Sequence, residues 1–68
     1  MQKENIQDLI NQYKHDGFDI VDIELTNDRT IGINFNSNEI FYTEDKLLIL
    51  GDGISATIDY SVIQGIVI

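Results

Sequence analysis

The spacing of apolar residues changes along this chain, and each change marks a new element. Ile6, Leu9, Ile10 and Tyr13 recur at i, i+3, i+4 and i+7, one stripe of an amphipathic helix. Gln7, Asp8, Asn11, Gln12 and Lys14 fill the opposite face. Asn5 stands where a cap is wanted, with Asp8 three residues on as an imperfect capping-box partner. Gly17 supplies a left-handed stop, so the pattern predicts a helix over 3–15. From Phe18 the period falls to two. Val21, Ile23 and Leu25 alternate with Asp22, Glu24 and Thr26, predicting a strand over 19–26 with one wet face. Asn27-Asp28 tolerates the positive φ of a tight hairpin turn. A return strand over 30–36 sets Ile31, Ile33 and Phe35 on one side, and Gly32 within it implies a bend or a close backbone approach.

Asn36-Ser37-Asn38 reads as a turn or a bulge, which leaves open whether the second strand continues or re-forms over 39–43. Glu44-Asp45 makes a turn. Leu47-Leu48-Ile49-Leu50 is an unbroken apolar run, which predicts a strand over 46–50 covered on both faces. After the Gly51-Asp52-Gly53 turn, Ile54, Ala56 and Ile58 alternate with Ser55, Thr57 and Asp59 in a strand over 54–59. One helical turn at Tyr60-Ser61-Val62-Ile63 and a short strand over 65–68 close the pattern. The expected fold is α+β in a single domain, 1–68. An N-terminal amphipathic helix precedes a five-stranded, strongly bent antiparallel sheet or small barrel of the Sm/SH3-like kind.

That order of elements resembles the small Sm-like barrels, most specifically over Asp22-Ile23-Glu24-Leu25-Thr26-Asn27-Asp28-Arg29-Thr30-Ile31-Gly32. This stretch is similar to the first Sm motif, in which alternating apolar residues run through a turn to a glycine that bends the second strand. The second half looks like the bacterial Hfq variant. Leu47 to Leu50 stand for the third strand, Ile54 to Asp59 for the fourth, and Val62, Ile63, Ile66 and Ile68 for the turn and the fifth. Two departures matter. The stretch from Gly32 to the turn at Asp45 is longer than the Hfq pattern, and Asp59-Tyr60 replaces the Lys-His pair of that family. The Arg-Gly of the second Sm motif is also missing. The resemblance therefore implies a fold and ring assembly, without the residues that hold RNA.

Charge alters the functional expectation more than the fold. Twelve acidic residues against four basic ones give a net charge of -8. Such a field disfavours RNA, DNA and anionic lipid, and favours a basic protein surface. Cysteine is absent and His15 is the lone histidine, so disulfide staples and most zinc sites are excluded. His15 fits a helix C-terminus, where a partly cationic ring complements the dipole. No apolar run reaches the roughly 20 residues needed to span a bilayer. Met1-Gln2-Lys3-Glu4 is unlike a secretory leader, and a cytoplasmic location is expected.

Candidate chemistry is sparse. Asp22 and Glu24, two apart on a strand, share one face. With Asp19 and Asp28 they form the expected contact set for a basic partner, to which Phe41 and Tyr42 add the aromatic component, since one of these adjacent rings must face outward. Gly51-Asp52-Gly53 has no following Lys-Ser/Thr and is no phosphate loop. Gly53-Ile54-Ser55 lacks the closing glycine of a nucleophile elbow. No catalytic residue, metal site or cofactor is expected. Ile66, Val67 and Ile68 form an apolar edge with no charge to blunt it, so Ile54, Ala56, Ile58, Ile66, Val67 and Ile68 are the expected interface of a homo-oligomer paired through strand edges.

The leading expectation is a non-enzymatic, self-assembling acidic module that binds or inhibits a basic nucleic-acid-handling protein. The Asn/Ile-rich, Pro-free composition associates it with AT-rich phages and mobile elements. The alternatives are an Sm-like, Hfq-like RNA-binding ring protein and, third, a small metal binder using the acidic strand face.

Overall fold

The computed structural model describes all 68 residues. Helix α1 spans Lys3–His15, and six strands follow: β1 Ile20–Leu25, β2 Thr30–Asn34, β3 Glu39–Tyr42, β4 Lys46–Gly51, β5 Ile54–Asp59 and β6 Ile63–Val67. A 3-10 turn, Tyr60–Val62, separates β5 from β6. The strands form two antiparallel three-stranded sheets, ordered β2-β1-β6 and β3-β4-β5. The α+β class holds. The strand count is six instead of five, and the two sheets do not close into a barrel through a shared strand pair.

The helix starts on Gln2, whose side chain makes no capping bond, so Asn5 lies within the first turns and is not the cap. The C-terminus stops as Gly17 directs. Gly17 adopts φ 91, its N–H donates to the Lys14 carbonyl, and the Phe18 N–H donates to the Tyr13 carbonyl. This doubly bonded stop brings Phe18 edge-on to Tyr13, 5.9 Å between ring centres, which seals the end of the helix with an apolar contact. At the β1–β2 turn, Asp28 takes the positive φ (65), while the Asn27 side chain accepts from the Arg29 N–H at 3.1 Å.

Of the two alternatives left open by the pattern, the strand re-forms: β2 ends at Asn34 and a separate β3 spans Glu39–Tyr42. β2 pairs with β1 and β3 with β4, so residues 35–38 carry the chain from one sheet to the other. Asn38, the one buried polar side chain, fixes this passage. Its Oδ1 accepts from the Asn34 N–H at 2.8 Å, and its Nδ2 donates to the Gly51 carbonyl at 3.0 Å. Gly51 is required there. Its φ is 108, and a Cβ on it would lie 2.7 Å from the Ser37 carbonyl oxygen. Gly32 has no such constraint: the nearest atom to a Cβ there is Asp22 Oδ1, at 3.5 Å. The expected bend at Gly32 is therefore supplied three to six residues later, by the sheet-to-sheet passage.

The core consists of Val21, Ile23, Ile33, Leu47, Ile49, Ile58, Tyr60, Ile63 and Ile66, closed by Ile6 and Ile10 of α1. Apart from Tyr60 in the 3-10 turn, the strand residues of this set are inward positions of β1, β2, β4, β5 and β6, while β3 adds the partly buried Ile40 and Tyr42. β4 departs from expectation, because the chain covers only one of its faces. Leu47 and Ile49 are fully buried, whereas Leu48 is half-buried and Leu50 is exposed.

Candidate functional site

The expected acidic and aromatic contact residues separate onto different sheets. Asp22 and Glu24 stand on the outer face of the β2-β1-β6 sheet, alternating with the buried Val21 and Ile23. Asp22 lies between Gly32 and Val67, and Glu24 between Thr30 and Gly65. Because the glycines carry no side chains, the carboxylates reach sideways across open backbone. Asp22 Oδ1 lies 3.5 Å from the point a Cβ on Gly32 would occupy, and Glu24 Oε1 lies 3.2 Å from that point on Gly65. Ile20, 56% exposed, continues the same face beside β2.

Asp28 sits at the tip of the hairpin beyond Glu24, and Asp19 precedes the other end of β1. The Asp19 carboxylate accepts a hydrogen bond from Asn36 Nδ2 at 3.2 Å, so it is partly held by the β2–β3 passage. Neither Asp22 nor Glu24 is paired with a cation. Both ion pairs of the chain belong to Lys46, with Asp59 at 2.7 Å and Asp45 at 3.5 Å. These two carboxylates raise the pKa of the Lys46 ammonium, the hydrogen bond that it donates to Asp59 contributing most.

Phe41 and Tyr42 lie on β3, in the second sheet. Phe41 is the outward ring, at 46% exposure; Tyr42 turns inward and packs against the core. Burial pushes the Tyr42 phenol up to about 12, with neighbouring Tyr60 adding to the shift. Tyr60, buried, also has its pKa raised, chiefly by burial, and its hydroxyl donates to the Thr43 carbonyl at 2.7 Å.

The four cations do not gather into one groove. Lys3 and Lys46 line an open cleft of about 1010 Å³, where Glu4, Glu44, Asp45 and Asp59 outnumber them. Lys14 lies in a smaller groove of about 410 Å³ beside β3, with its ammonium 5.9 Å from the centre of the Phe35 ring. Arg29 is in the β1–β2 turn. No three acidic or histidine side chains converge as metal ligands.

The strand edges also differ from the expectation. Ile58 and Ile66 point into the chain's own core, Ile54 and Ala56 are half-buried against it, and Val67 and Ile68 are exposed. The β6 edge is not bare. The Tyr13 hydroxyl donates to the Ile66 carbonyl at 3.2 Å, and the Met1 nitrogen donates to the carbonyls of Ile63 and Tyr60, each at 2.9 Å. Sequence reasoning overlooked Tyr13 in this role, since the helical stripe identified only its ring as core. β5 borders its sheet with β4 as its one strand partner.

Together these features define a small α+β domain with one acidic sheet face and one apolar sheet face, and no helix long and apolar enough to cross a membrane. Comparison with protein-family models, curated proteins and solved structures found no match.

Proposed function

We propose that this chain is a non-enzymatic, acidic protein-interaction module whose β2-β1-β6 face receives a basic surface of a partner protein. The carrying observation is the pair Asp22 and Glu24, adjacent on an exposed sheet face and free of any intrachain cation. In a chain of net charge -8 this face attracts Lys and Arg side chains, and the carboxylates of Asp22 and Glu24 lie over the bare backbone of Gly32 and Gly65. Proteins that handle nucleic acids carry such cationic surfaces, so a protein of that class is the fitting partner. Inhibition of one by a small phage or mobile-element protein is the biological setting this reading favours. Self-association through strand edges belongs to the same proposal, with β5 as the more open edge.

The order of helix, strands, 3-10 turn and last strand favours one second reading, an Sm-like RNA-binding ring. The dispersed cations speak against it.

A fluorescence-anisotropy titration of the labelled chain separates the two. The probes are an Arg/Lys-rich peptide and U-rich and A-rich RNA, each at low and high salt. The module reading expects salt-sensitive peptide binding that Asp22→Lys with Glu24→Lys abolishes. Peptide affinity indifferent to both salt and substitution refutes it, and saturable sub-micromolar RNA binding establishes the second reading instead.

A further inference from the structure

Two Asp-Gly pairs occur in the chain, Asp16-Gly17 and Asp52-Gly53. Each sets a short carboxyl next to an amide that no side chain shields, so sequence treats them alike. Their surroundings differ. Asp16 and Gly17 end helix α1, where both reactive groups are held. The Asp16 carboxylate accepts from Gln12 Nε2 at 3.0 Å, and the Gly17 N–H donates to the Lys14 carbonyl at 3.2 Å. On either side, the Asp16 N–H donates to the Gln12 carbonyl at 2.9 Å and the Phe18 N–H to the Tyr13 carbonyl at 3.1 Å.

Asp52 and Gly53 form the two-residue tip between the paired Gly51 and Ile54. Both are exposed and both take positive φ, 52 and 79, as a tight hairpin turn requires. The Asp52 carboxylate has no hydrogen bond or ion pair, and the Gly53 N–H, outside the strands, has no acceptor. Nothing lies within 4 Å of the point that a Cβ on Gly53 would occupy.

We propose that Asp52-Gly53 is a site of spontaneous isomerisation of aspartate to isoaspartate, from which the helix stop protects Asp16-Gly17. The Gly53 nitrogen attacks Cγ of the neutral Asp52 carboxyl group. An N–Cγ bond forms, the amide hydrogen and the carboxyl hydroxyl leave as water, and a five-membered succinimide results. Water adding at Cγ breaks the new bond and restores Asp52. Water adding at the Asp52 backbone carbonyl carbon breaks the original C–N bond instead, so that the main chain runs through Cγ. Water is the only co-reactant, and the mass is unchanged.

The attack requires the Asp52 carboxyl and the Gly53 nitrogen to swing together. At the hairpin tip this motion breaks no side-chain contact, whereas at Gly17 the helix stop must open first. Opening the bonds on Asp16 and Gly17 lowers the reactive population there by a factor of at least about 10, equivalent to about 1.4 kcal/mol. The product adds one carbon to the turn backbone beside Gly51, whose carbonyl accepts from Asn38 Nδ2 at 3.0 Å and which has no room towards Ser37. Isomerisation therefore strains the β4–β5 turn and the sheet-to-sheet passage together, and the modified chain melts lower.

Ageing of the full chain at physiological temperature and pH over weeks is the direct test. Cleavage after Lys14, Arg29 and Lys46 places the two pairs on separate peptides, 15–29 and 47–68. Chromatography separates the isoaspartyl forms, and electron-transfer fragmentation locates them. An isoaspartyl carboxyl methyltransferase with labelled S-adenosylmethionine counts them independently. In the native chain isoaspartate should accumulate at least about tenfold faster at Asp52 than at Asp16, and in urea the two rates should come within about twofold. Gln12→Ala should speed the reaction at Asp16 and leave Asp52 unchanged. Asp52→Glu, which requires a slower six-membered ring, should remove most methyl acceptance from the aged native chain. Equal native rates at the two pairs overturn the proposal. So does an Asp52 that stays unmodified for as long as the urea-unfolded chain takes to isomerise. An isolated isoaspartyl form with an unaltered melting midpoint overturns the predicted strain.

Discussion

Asn38 is a single residue on which the arrangement of the two sheets turns, and truncating it tests that claim. In Asn38→Ala the Asn34 N–H loses its acceptor at 2.8 Å and the Gly51 carbonyl loses its donor at 3.0 Å. Asn38 is 8% exposed, so water replaces these partners poorly. Leaving a buried polar group unpaired costs about 1–3 kcal/mol. With two groups affected and some relaxation allowed, a loss of about 2 kcal/mol is expected. A domain of this size has about 3–10 kcal/mol in total, so the fraction is large. The melting midpoint should fall by about 8–16 °C. Urea denaturation and a thermal scan measure both quantities, and hydrogen exchange at the Asn34 amide should accelerate beyond the global change.

Asn38→Asp isolates the donor half. Its carboxylate still accepts from Asn34 but opposes the Gly51 carbonyl, and a proton restores the missing donor. Burial and the facing carbonyl raise the folded pKa of this new group above its unfolded value of about 3.9. The penalty relative to wild type is then full above the folded pKa, shrinks as pH falls through it, and is smallest below about 3.9. A loss under about 0.5 kcal/mol for Asn38→Ala, the range of ordinary surface changes, would refute the reasoning. So would an Asn38→Asp penalty equal at pH 4 and pH 8.

Gly51→Ala should cost at least about 2 kcal/mol, because it adds a backbone clash at 2.7 Å to left-handed strain. Gly53→Ala, also at positive φ but with nothing within 4 Å, should cost about 1 kcal/mol, and parallel urea curves compare the two. Tyr42 ionises near 10 unfolded and at about 12 folded, so its contribution is intact below pH 10 and lost as pH rises towards 12. The two pKa values bound the loss across that window at about 3 kcal/mol, and solvent screening of the half-buried phenol makes it smaller; denaturation of Tyr42→Phe should show a flatter pH dependence there. Tyr13→Phe removes the bond to the Ile66 carbonyl and keeps the contact with Phe18; about 1 kcal/mol should be lost in urea denaturation.

Local chemistry made most of the elements readable from sequence alone. A 3.6-residue stripe ending at a glycine dictates a helix over 3–15, because the apolar face needs burial and only Gly17 takes φ 91 without strain. Strict alternation at Val21, Ile23 and Leu25 dictates which side of β1 turns inward, and therefore that Asp22 and Glu24 share the wet side. Net charge, likewise a property of the chain alone, ranks a basic partner above a polyanion.

Tertiary structure decided what depends on contacts distant in sequence. That residues 35–38 change sheets rests on Asn38 reaching Gly51, thirteen positions away, which no local pattern encodes. The partial capping of β6 by Tyr13 spans 53 positions, and the division of Phe41 and Tyr42 from the carboxylates follows from two separate sheets. The uncovered face of β4 belongs here too. Its apolar run states that both sides prefer burial, but the identity of each cover depends on which other surfaces are close enough to meet it.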